Sequence, residues 1–395
     1  MTALMVVGGV YHEACMWPHW DQIFGSGGRA AAAISGLIND VTLISYATQA
    51  MAAAFEATRN LYGFSFAPQS GEQAISFEYV HSLTVPVIRP SPSLIVRQQP
   101  LRVTDDIVLR FGMMEGTAVV EAERCIYDPQ SAYDPDAFGA NGSKANHLAI
   151  VANRAEIERM SGGSDAIGAA RSMVDGKAAE VVVVKSGAAG AIVVTANGVT
   201  SIPAYRSERV WKIGSGDVFA AAFAVKWGIQ DQPAVEAARF ASNAVALYAS
   251  SMALPISPAA AANELPEARV NPGTVYLAGP FFNMSQRWLV EEARRGLTEL
   301  GMSVFSPLHD VGEGSASEVA PADIAAVRNS DVIFALADGL DSGTLFEIGY
   351  ARACNKPVYV FAQTVSSEDL KMIEGSDCKV FNDFVTALHH AAWRT

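Results

Sequence analysis

A proline-rich segment inside the chain limits the possible folds more than any other feature. Residues 253–273, ALPISPAAAANELPEARVNPG, contain four prolines and show neither helical nor strand periodicity. Such a segment supports neither a helix nor a sheet, and it is typical of a linker. We therefore predict two domains, residues 1–255 and residues 274–395, joined by a linker over residues 256–273. A chain of 395 residues is long enough for two domains of ordinary size.

Apolar strands alternate with helices on both sides of this linker, and such alternation predicts parallel sheets covered by helices. The predicted strands are residues 4–10, 41–45, 124–127, 147–151, 180–185 and 191–195 before the linker, and residues 275–278, 304–306, 332–337 and 358–361 after it. The predicted helices are residues 25–37, 233–250, 285–300, 321–329 and 345–353, with one more beginning near Asp217. The sequence thus predicts an α/β fold for each domain.

Residues 49–110 do not follow this alternation. Residues 77–88 and 93–97 have strand character, but prolines at positions 86, 90, 92 and 100 interrupt them. Because proline removes a hydrogen-bond donor from a sheet, these stretches are poor candidates for central strands. We expect residues 49–110 to form a flap or lid.

Composition excludes several classes of protein. Half of the residues are hydrophobic and 17% are charged, which is typical of globular domains. The net charge of −13 argues against nucleic acid or an anionic membrane as a partner. The four cysteines form no C-x-x-C pair, and we find no signal sequence and no apolar run long enough to span a membrane. We therefore expect a cytoplasmic protein without structural zinc.

A glycine-rich turn directly before an Ala/Phe-rich helix is the first candidate for a chemical site. Gly214, Ser215 and Gly216 leave the N–H groups of the first helical turn uncovered. These donors and the positive end of the helix dipole favour an anion such as a transferring phosphoryl group. Asp217 follows, where its carboxylate could take the proton of an attacking hydroxyl. An ordinary helix start with an acid in its first turn is the alternative.

Four segments together resemble the ribokinase-like (PfkB) family of sugar and nucleoside kinases. They are Gly27-Gly28-Arg29-Ala30-Ala31, Asn153-Arg154-Ala155-Glu156, Lys185-Ser186-Gly187-Ala188-Ala189-Gly190 and Gly214-Ser215-Gly216-Asp217. Their order and spacing agree with the family across residues 1–255. The resemblance implies a ribokinase-like three-layer α/β/α domain that transfers a phosphoryl group from ATP with the help of Mg²⁺.

The resemblance also implies a role for each matching residue. Asp217 would be the catalytic base, and Gly214, Ser215 and Gly216 would form the anion hole. The implied substrate-binding residues are Glu13, Gly27, Gly28 and Arg29, and the implied nucleotide-binding residues are Asn153, Glu156, Lys185, Gly187 and Gly190. Glu156, together with Asn153, would hold Mg²⁺ through water.

Simpler explanations exist for some of these residues. Asn153 and Glu156 could be a capping pair at a helix start, Lys185 a solvated lysine at a strand end, and Glu13 a carboxylate on a surface loop. Two features also depart from the family pattern: Ala32 replaces the asparagine that follows the diglycine, and residues 49–110 show no family motif. A kinase-like domain that senses a nucleotide without catalysing transfer is therefore an alternative.

After the linker, a carboxylate-rich loop follows the predicted strand at residues 332–337. Parallel sheets bind ligands at the carboxyl ends of their strands, and Asp341 lies there. Glu347 falls near the start of the next helix, where its side chain can face the same crevice. Carboxylates around an anomeric carbon suit glycosidic chemistry, in which one attacks the sugar and another holds it or moves a proton.

This second half resembles nucleoside 2-deoxyribosyltransferases. Residues 341–351, DSGTLFEIGYA, match the D-x-G-x-x-x-E-x-G-Y-A core of the family, and residues 276–282, YLAGPFF, resemble its base-binding loop. The resemblance implies a Rossmann-like (flavodoxin-like) parallel sheet. The implied catalytic residues are Glu347 as the nucleophile, Asp341 and Asp323. The implied substrate-binding residues are Tyr276, Gly279, Phe281, Phe282 and Gly343.

Two of these assignments have alternatives: Asp323 could merely favour a helix dipole, and Phe281 and Phe282 could belong to the core. The complete sequence predicts a bifunctional enzyme that phosphorylates a sugar or nucleoside hydroxyl and cleaves or exchanges an N-glycosidic bond through a glycosyl-Glu347 intermediate. A glycosidase or transferase regulated by a silent kinase-like domain is the alternative, and water could replace the acceptor base. We expect nucleoside, nucleotide or pentose substrates and a homo-oligomer.

Overall fold

The computed structural model describes residues 3–131, 134–258 and 265–394. The chain divides into two compact units. The first unit comprises Met1–Ser207 and Trp211–Glu267, and the second comprises Glu208–Val210 and Ala268–Thr395. The chain passes from the first unit to the second after Glu267, which lies inside the predicted linker. Residues 259–264 of that linker lie outside the described residues.

The first unit is an α/β structure. Its strands are β1 Leu4–Val7, β2 His12–Cys15, β3 Trp20–Ile23, β4 Val41–Ala47, β5 Ser65–Ser70, β6 Ser76–Tyr79, β7 Val87–Arg89, β8 Leu101–Phe111, β9 Ala118–Asp128, β10 Lys144–Asn153, β11 Val181–Lys185, β12 Ala191–Thr195, β13 Gly198–Ile202 and β14 Ala204–Tyr205. Its α-helices are α1 Gly25–Ile34, α2 Gln49–Tyr62, α3 Arg154–Ser161, α4 Ala166–Asp175, α5 Ser215–Phe223 and α6 Ala234–Ser251. A short strand, β15 Glu267–Ala268, spans the division between the units.

Nine strands form the central sheet, in the order β13-β12-β11-β10-β9-β8-β1-β4-β5. All neighbours are parallel except β12, which runs antiparallel to β11 and β13. The apolar strand β11 explains the layering, because successive residues face opposite sides of a sheet. Val181 and Val183 join the core that contains α1, α5 and α6, whereas Val182 and Val184 join the core that contains α3 and α4. The predicted three-layer α/β/α architecture is confirmed.

A smaller four-stranded sheet has the order β3-β2-β6-β7. The prediction of a flap over residues 49–110 is therefore correct only in part. In that range β6 and β7 belong to the small sheet, but β5 and β8 are strands of the central sheet and α2 is a helix. Pro68 lies in β5, the outermost strand, where a missing donor leaves no ladder bond unmade.

The second unit has a wholly parallel sheet in the order β17-β16-β18-β19-β20. The strands are β16 Thr274–Ala278, β17 Ser303–Phe305, β18 Val332–Leu336, β19 Val358–Phe361 and β20 Lys379–Phe381. The helices are α7 Met284–Glu299, α8 Pro307–Asp310, α9 Ala316–Asn329, α10 Ser342–Ala353, α11 Ser367–Gly375 and α12 Phe384–Trp393. This 2-1-3-4-5 order is the flavodoxin-like arrangement, so the predicted fold of the second half is confirmed.

Helix α9 begins five residues earlier than the sequence indicated. Ser315 and Glu318 form a reciprocal capping box, and Pro321 lies inside the helix. The proline suggested a helix start because its ring is best tolerated in a first turn, but the capping pair upstream sets the boundary. None of the helices in the described part of the chain has the length and apolar character needed to cross a membrane.

Candidate active sites

In the first unit, Asp217 lies in the first turn of α5, directly after a glycine-rich turn of the chain. Gly214 precedes the helix with a φ of 75°, a left-handed conformation that favours glycine, and no side chain caps the helix start. A Cβ atom on Gly214 would lie 1.9 Å from Nε of Arg29. Glycine is therefore needed here both for the backbone conformation and for the close approach of Arg29.

Asp217 has a partner on each side of its carboxylate. Gln130 donates from Nε2 to Oδ1 at 2.5 Å, and Nη1 of Arg29 lies 3.7 Å from Oδ2. Burial raises the pKa of Asp217, whereas the charge of Arg29, the hydrogen bond from Gln130 and the charge of Lys185 lower it. These contacts orient the carboxylate and favour its ionised form.

Arg29 is fully buried and binds Glu13 through both terminal nitrogens. Nη1 donates to Oε1 of Glu13 at 3.1 Å and Nη2 donates to Oε2, while Nε donates to the hydroxyl of Tyr248 at 3.1 Å. Burial raises the pKa of Glu13 to about 7 against the opposing charge of Arg29. Glu13 is thus a buried ion-pair partner on β2 rather than an exposed loop carboxylate, and a contact of Glu13 or Arg29 with a substrate stays a prediction.

The predicted diglycine lies inside α1, where it allows close packing. A Cβ atom on Gly27 would lie 2.8 Å from the carbonyl carbon of Gly8, and one on Gly28 would lie 2.9 Å from Cζ of Phe55. Ala32, which replaces the family asparagine, is also fully buried. These contacts explain the small residues by packing, and a sugar contact of the two glycines stays a prediction.

Lys185, at the end of β11, lies beside the start of α5. Its Nζ donates to Oδ2 of Asp128 at 2.5 Å, and a Cβ atom on Gly216 would lie 3.5 Å from the same nitrogen. Asp128 is fully buried, and its Oδ1 has no hydrogen-bond partner among the described residues. Burial raises the pKa of Asp128 to about 7, opposed chiefly by the charge of Lys185. Lys185 is therefore a paired ammonium near Gly216 of the predicted anion hole and not a solvated lysine.

Asn153 and Glu156 form the reciprocal capping box of α3. The Asn153 side chain accepts from the Glu156 backbone at 2.9 Å, and Oε2 of Glu156 accepts from the Asn153 backbone at 2.7 Å. Glu156 is buried, and its charge acts on both Asp128 and Lys185. The capping role is thus present, in a position that also places Glu156 near the Lys185–Asp128 pair.

The turn after β11 depends on two of the predicted glycines. Gly187 and Gly190 have φ values of 57° and 84°. A Cβ atom on Gly190 would lie 2.1 Å from the carbonyl oxygen of Ile202, so the turn packs closely on the chain that leads to β14. Their contact with a nucleotide stays a prediction.

Three residues around Asp217 were missed by the sequence reasoning: Asp128, Gln130 and Tyr248. The first two follow the pattern of a polar group at the carboxyl end of a parallel strand, since β9 ends at Asp128 beside β10, which ends at Asn153. That signal was present in the sequence. Tyr248 lies in the middle of α6, and no local pattern marks it.

In the second unit, Tyr276 and Glu347 form a direct hydrogen bond. The hydroxyl of Tyr276, on β16, donates to Oε1 of Glu347, on α10, at 2.5 Å. Burial raises the pKa of Glu347 to about 7; the bond from Tyr276 lowers it, and the charges of Asp323 and Asp341 raise it further. The structure thus brings the predicted nucleophile together with a phenol and two other predicted carboxylates.

Asp323 and Asp341 are held differently. Asp341 is the N-cap of α10, and its Oδ2 accepts from the backbone and hydroxyl of Thr344 at 2.9 and 3.0 Å. Asp323, on α9, has a buried Oδ1 without a hydrogen-bond partner among the described residues, and burial raises its pKa. No described residue satisfies this carboxylate oxygen of Asp323, and its contact with a substrate stays a prediction.

The predicted base-binding loop presents aromatic side chains. Phe282 is 73% exposed and its ring lies 5.7 Å from that of the half-buried Phe281. Phe282 is therefore not a core residue. A Cβ atom on Gly279 would lie 3.0 Å from Cβ of Leu336, and one on Gly343 would lie 3.1 Å from Oδ2 of Asp341. Both glycines therefore lie in tight surroundings.

Comparison with known families supports the two resemblances. Residues 143–257 match the family described as pfkB family carbohydrate kinase. Residues 275–380 match the family described as Nucleoside 2-deoxyribosyltransferase. The first match contains Asp217, Lys185 and Glu156 but begins after Glu13 and Arg29. A search of curated protein sequences gave no match.

Several solved structures are similar to the chain. A ribokinase from Thermotoga maritima is 18% identical, with a TM-score of 0.48 over 66% of this chain and 99% of the ribokinase. The phosphofructokinase-2 from Escherichia coli, in complex with substrates and products, is 15% identical, with a TM-score of 0.48 over 66% of this chain and 97% of that enzyme. A pyrophosphate-dependent kinase in the ribokinase family, complexed with a pyrophosphate analog and myo-inositol, is 15% identical, with a TM-score of 0.42 over 65% and 97%.

Each of the two family matches falls in a unit with its own fold, and the two matches follow each other along the chain in the same order as the two units. A three-layer α/β/α unit carries the pfkB match, and a flavodoxin-like parallel sheet carries the deoxyribosyltransferase match. The chain therefore combines a segment that matches the pfkB carbohydrate kinases with a segment that matches the nucleoside 2-deoxyribosyltransferases.

Proposed function

We propose that the first domain, residues 1–255, transfers a phosphoryl group from ATP to a hydroxyl of a sugar or nucleoside. The contacts of Asp217 support this proposal: the carboxylate is oriented by Gln130, lies near Arg29 and follows an uncapped helix start. Asp217 takes the proton of the attacking hydroxyl while the amides of Gly214–Gly216 face the transferring phosphoryl group. Lys185, beside Gly216, adds a positive charge at that position.

Magnesium suits the donor chemistry of this site. None of the described residues forms a group of three or more His, Cys, Asp or Glu side chains that could hold a metal alone. Mg²⁺ commonly takes one or two protein carboxylates and completes its shell with phosphate oxygens and water. Glu156 and the unpartnered oxygen of Asp128 would supply the protein part. The ion neutralises phosphate charge when it is bound.

For the second domain, residues 274–395, we propose attack of Glu347 on the anomeric carbon of a nucleoside. A carboxylate oxygen forms a bond to the sugar, the base leaves with the bonding electrons, and it takes up a proton. Asp341 holds the sugar, and Asp323 moves the proton to the leaving base. Phe281 and Phe282 stack on the base. A second base or water then releases the sugar from Glu347.

The hydrogen bond between Tyr276 and Glu347 is the observation that carries this second activity. It favours the ionised carboxylate, which is the form that can attack carbon. The exposed Phe282 in the predicted base-binding loop supports a planar base as the leaving group. Because both proposed activities accept nucleosides or their sugars, we propose that they act on related substrates.

Mass spectrometry of a mixed nucleoside pool tests both activities. The full chain is incubated with the pool, with and without ATP and Mg²⁺, and compared with its Asp217→Asn and Glu347→Gln variants. We expect the Glu347 variant to lose base release and exchange, and the Asp217 variant to lose only phosphorylated products. Base release unchanged in Glu347→Gln, or phosphorylation unchanged in Asp217→Asn, would refute the corresponding assignment. Products found without a second base identify water as the acceptor.

A nucleotide-sensing first domain is the second candidate. Both oxygens of Glu13 are bound by Arg29, and buried Ala32 offers no hydrogen bond to a sugar. A sensor binds ATP without producing ADP, whereas a kinase releases ADP when its acceptor is present. Measurement of ADP over a panel of nucleosides and pentoses separates the two.

We also propose that the chain forms a homo-oligomer through its second domain. Phe282, Met284 and Phe346 are 73%, 88% and 59% exposed in that unit, and large exposed apolar side chains are typical of interfaces. Light scattering of the full chain during gel filtration measures its mass. A monomer at micromolar concentration would contradict the proposal.

A further inference from the structure

Arg29 has the largest side chain among those fully buried in the described residues. A buried cation is costly unless it is paired and hydrogen-bonded, so its partners define its role. Glu13 takes one hydrogen bond from each Nη, and Tyr248 takes the one from Nε. Nη1 also lies 3.7 Å from Oδ2 of Asp217. One guanidinium is therefore divided between two carboxylates.

The turn that carries Asp217 also fixes the position of Arg29. A Cβ atom on Gly214 would lie 2.4 Å or less from three atoms of the Arg29 side chain, so the guanidinium lies directly against this backbone. The hydroxyl of Tyr248, which accepts from Arg29, donates to the carbonyl oxygen of Ile213 at 3.0 Å. Arg29 and Asp217 are thus held against each other by residues on both sides of the turn.

Titratable groups from six elements interact electrostatically with Asp217. Arg29 from α1 and Lys185 from β11 lower its pKa. The charge of Asp217 in turn raises the pKa of four other groups: Glu13 on β2, Asp128 on β9, Tyr79 on β6 and Tyr248 on α6. Of the two cations, Arg29 has the larger effect on Asp217. Since Glu13 binds the same guanidinium, it reduces the positive charge that Asp217 receives.

We propose that Arg29 is a positioning residue for Asp217: its buried guanidinium keeps the carboxylate ionised and oriented, and Glu13 sets how strongly it does so. The inference rests on the proposed role of Asp217 as a base, and it gives Arg29 and Glu13 a task other than binding the substrate. A base that must accept a proton works only when ionised. The pH at which phosphoryl transfer begins therefore depends on the charge of this pair.

Three variants of the full chain test the proposal through the pH dependence of kcat. Glu13→Gln/Arg29→Met removes both charges of the buried pair, so that neither is left alone. A nearby opposite charge lowers a carboxyl pKa by about 1–3 units. We therefore expect the acidic limb of the profile to move up by about one pH unit in the double variant. In Glu13→Gln the acidic limb moves to lower pH, because Asp217 is then the only carboxylate beside the guanidinium of Arg29. In Arg29→Lys the acidic limb lies between those of the wild type and the double variant.

The same variants are followed by carbon NMR of the full chain labelled with ¹³C-aspartate, in which Asp217→Asn identifies the Asp217 carboxyl signal. We expect its titration to move in the same directions as kcat. A uniform loss of kcat at every pH with an unmoved Asp217 titration would show that Arg29 only supports the fold, and would overturn the proposal. If the double variant does not fold, the Glu13→Gln variant decides alone: an Asp217 titration that moves up or stays in place would also overturn the proposal. A wild-type chain without phosphoryl transfer refutes the proposed function, and the titration alone then decides the role of Arg29.

Discussion

The two proposed reacting carboxylates lie in opposite electrostatic surroundings. Asp217 in the first unit has the guanidinium of Arg29 at 3.7 Å, and the charge of Lys185 also lowers its pKa. Glu347 in the second unit has a pKa raised by burial to about 7, with a phenol on one oxygen that lowers the pKa and two carboxylates that raise it further. Burial is the largest cause of the raised pKa in both cases.

The charge around each carboxylate suits the charge that its proposed reaction develops. Phosphoryl transfer concentrates negative charge, so a base near phosphates needs cations to remain ionised. Cleavage of a glycosidic bond develops positive charge on the sugar, which neighbouring carboxylates stabilise. The comparison teaches that a carboxylate on a helix of an α/β fold is adapted to each chemistry by its partners.

Glu347→Gln gives the largest expected effect. Loss of the nucleophile should reduce base release by about 10⁴-fold or more, because catalytic groups that act as a unit have no substitute. Chromatography of the released base, with ADP production as the control, measures it. A loss of ADP production of the same size would contradict the separation of the two sites.

Asp217→Asn removes the proposed base of the first domain. General bases contribute about 10²–10⁴-fold, so ADP production with a suitable acceptor should fall by that amount. Asp175→Asn, at an exposed end of α4, is the matched control and should leave the rate unchanged. Base release should stay at the wild-type rate in both variants.

Lys185→Met tests the cationic side of the comparison. It leaves the fully buried Asp128 without its ammonium partner, which should cost about 3 kcal/mol of stability near pH 8. A carboxyl whose pKa is raised in the folded state stabilises the fold at low pH, and that contribution is lost as the pH rises through the folded pKa. Since Asp128 already has a pKa of about 7, the cost should shrink below pH 6.

Thermal unfolding of the Lys185 variant between pH 5 and about pH 8 measures this dependence. Asp128→Asn/Lys185→Met removes the lone charge and should recover most of the stability. An equal loss in the single and double variants at every pH would mean that the packing of the lysine stem, and not the ion pair, stabilises this region.

Tyr276→Phe tests the carboxylate-rich side and has the smallest expected effect. The bond from Tyr276 favours ionised Glu347, so its loss should raise the pKa of Glu347 above 7. The rate of base release should fall about tenfold near neutral pH, and its acidic limb should move to higher pH. Phosphoryl transfer by the same variant is the internal control. A lower rate without a moved limb would assign Tyr276 to substrate binding alone.

Local sequence patterns were enough to predict the fold class and to single out the two carboxylates that we propose to react. Asp217 follows a glycine-rich turn and Glu347 lies in a helix after a buried strand, and both signals involve residues close together in the sequence. The proline pattern misled us over residues 49–110, because the prolines at positions 86, 90, 92 and 100 interrupt only the middle of this range, whereas α2 and β5 lie before them and β8 begins after them.

Partner choice was not predictable in the same way. The sequence did not show that Glu13 and Arg29 bind each other in the buried interior, and their contact with a substrate stays a prediction. Asp128 and Gln130 had a signal in the sequence, at the end of a buried strand, but Tyr248 had none, because its importance depends on a segment far away in sequence; 219 residues separate Arg29 from Tyr248.

The sequence by itself determined the two α/β patterns, the break between them and the acidic residues at the helix starts, because periodicity, capping and turn formation act over a few residues. Only the tertiary structure decided which charges share a partner. A guanidinium or an ammonium removed from water is stable only beside an acceptor, and that acceptor can come from any segment that the sheet order brings near. This is why the surroundings of Asp217 and Glu347, and so their ionisation, could be described only from the folded chain.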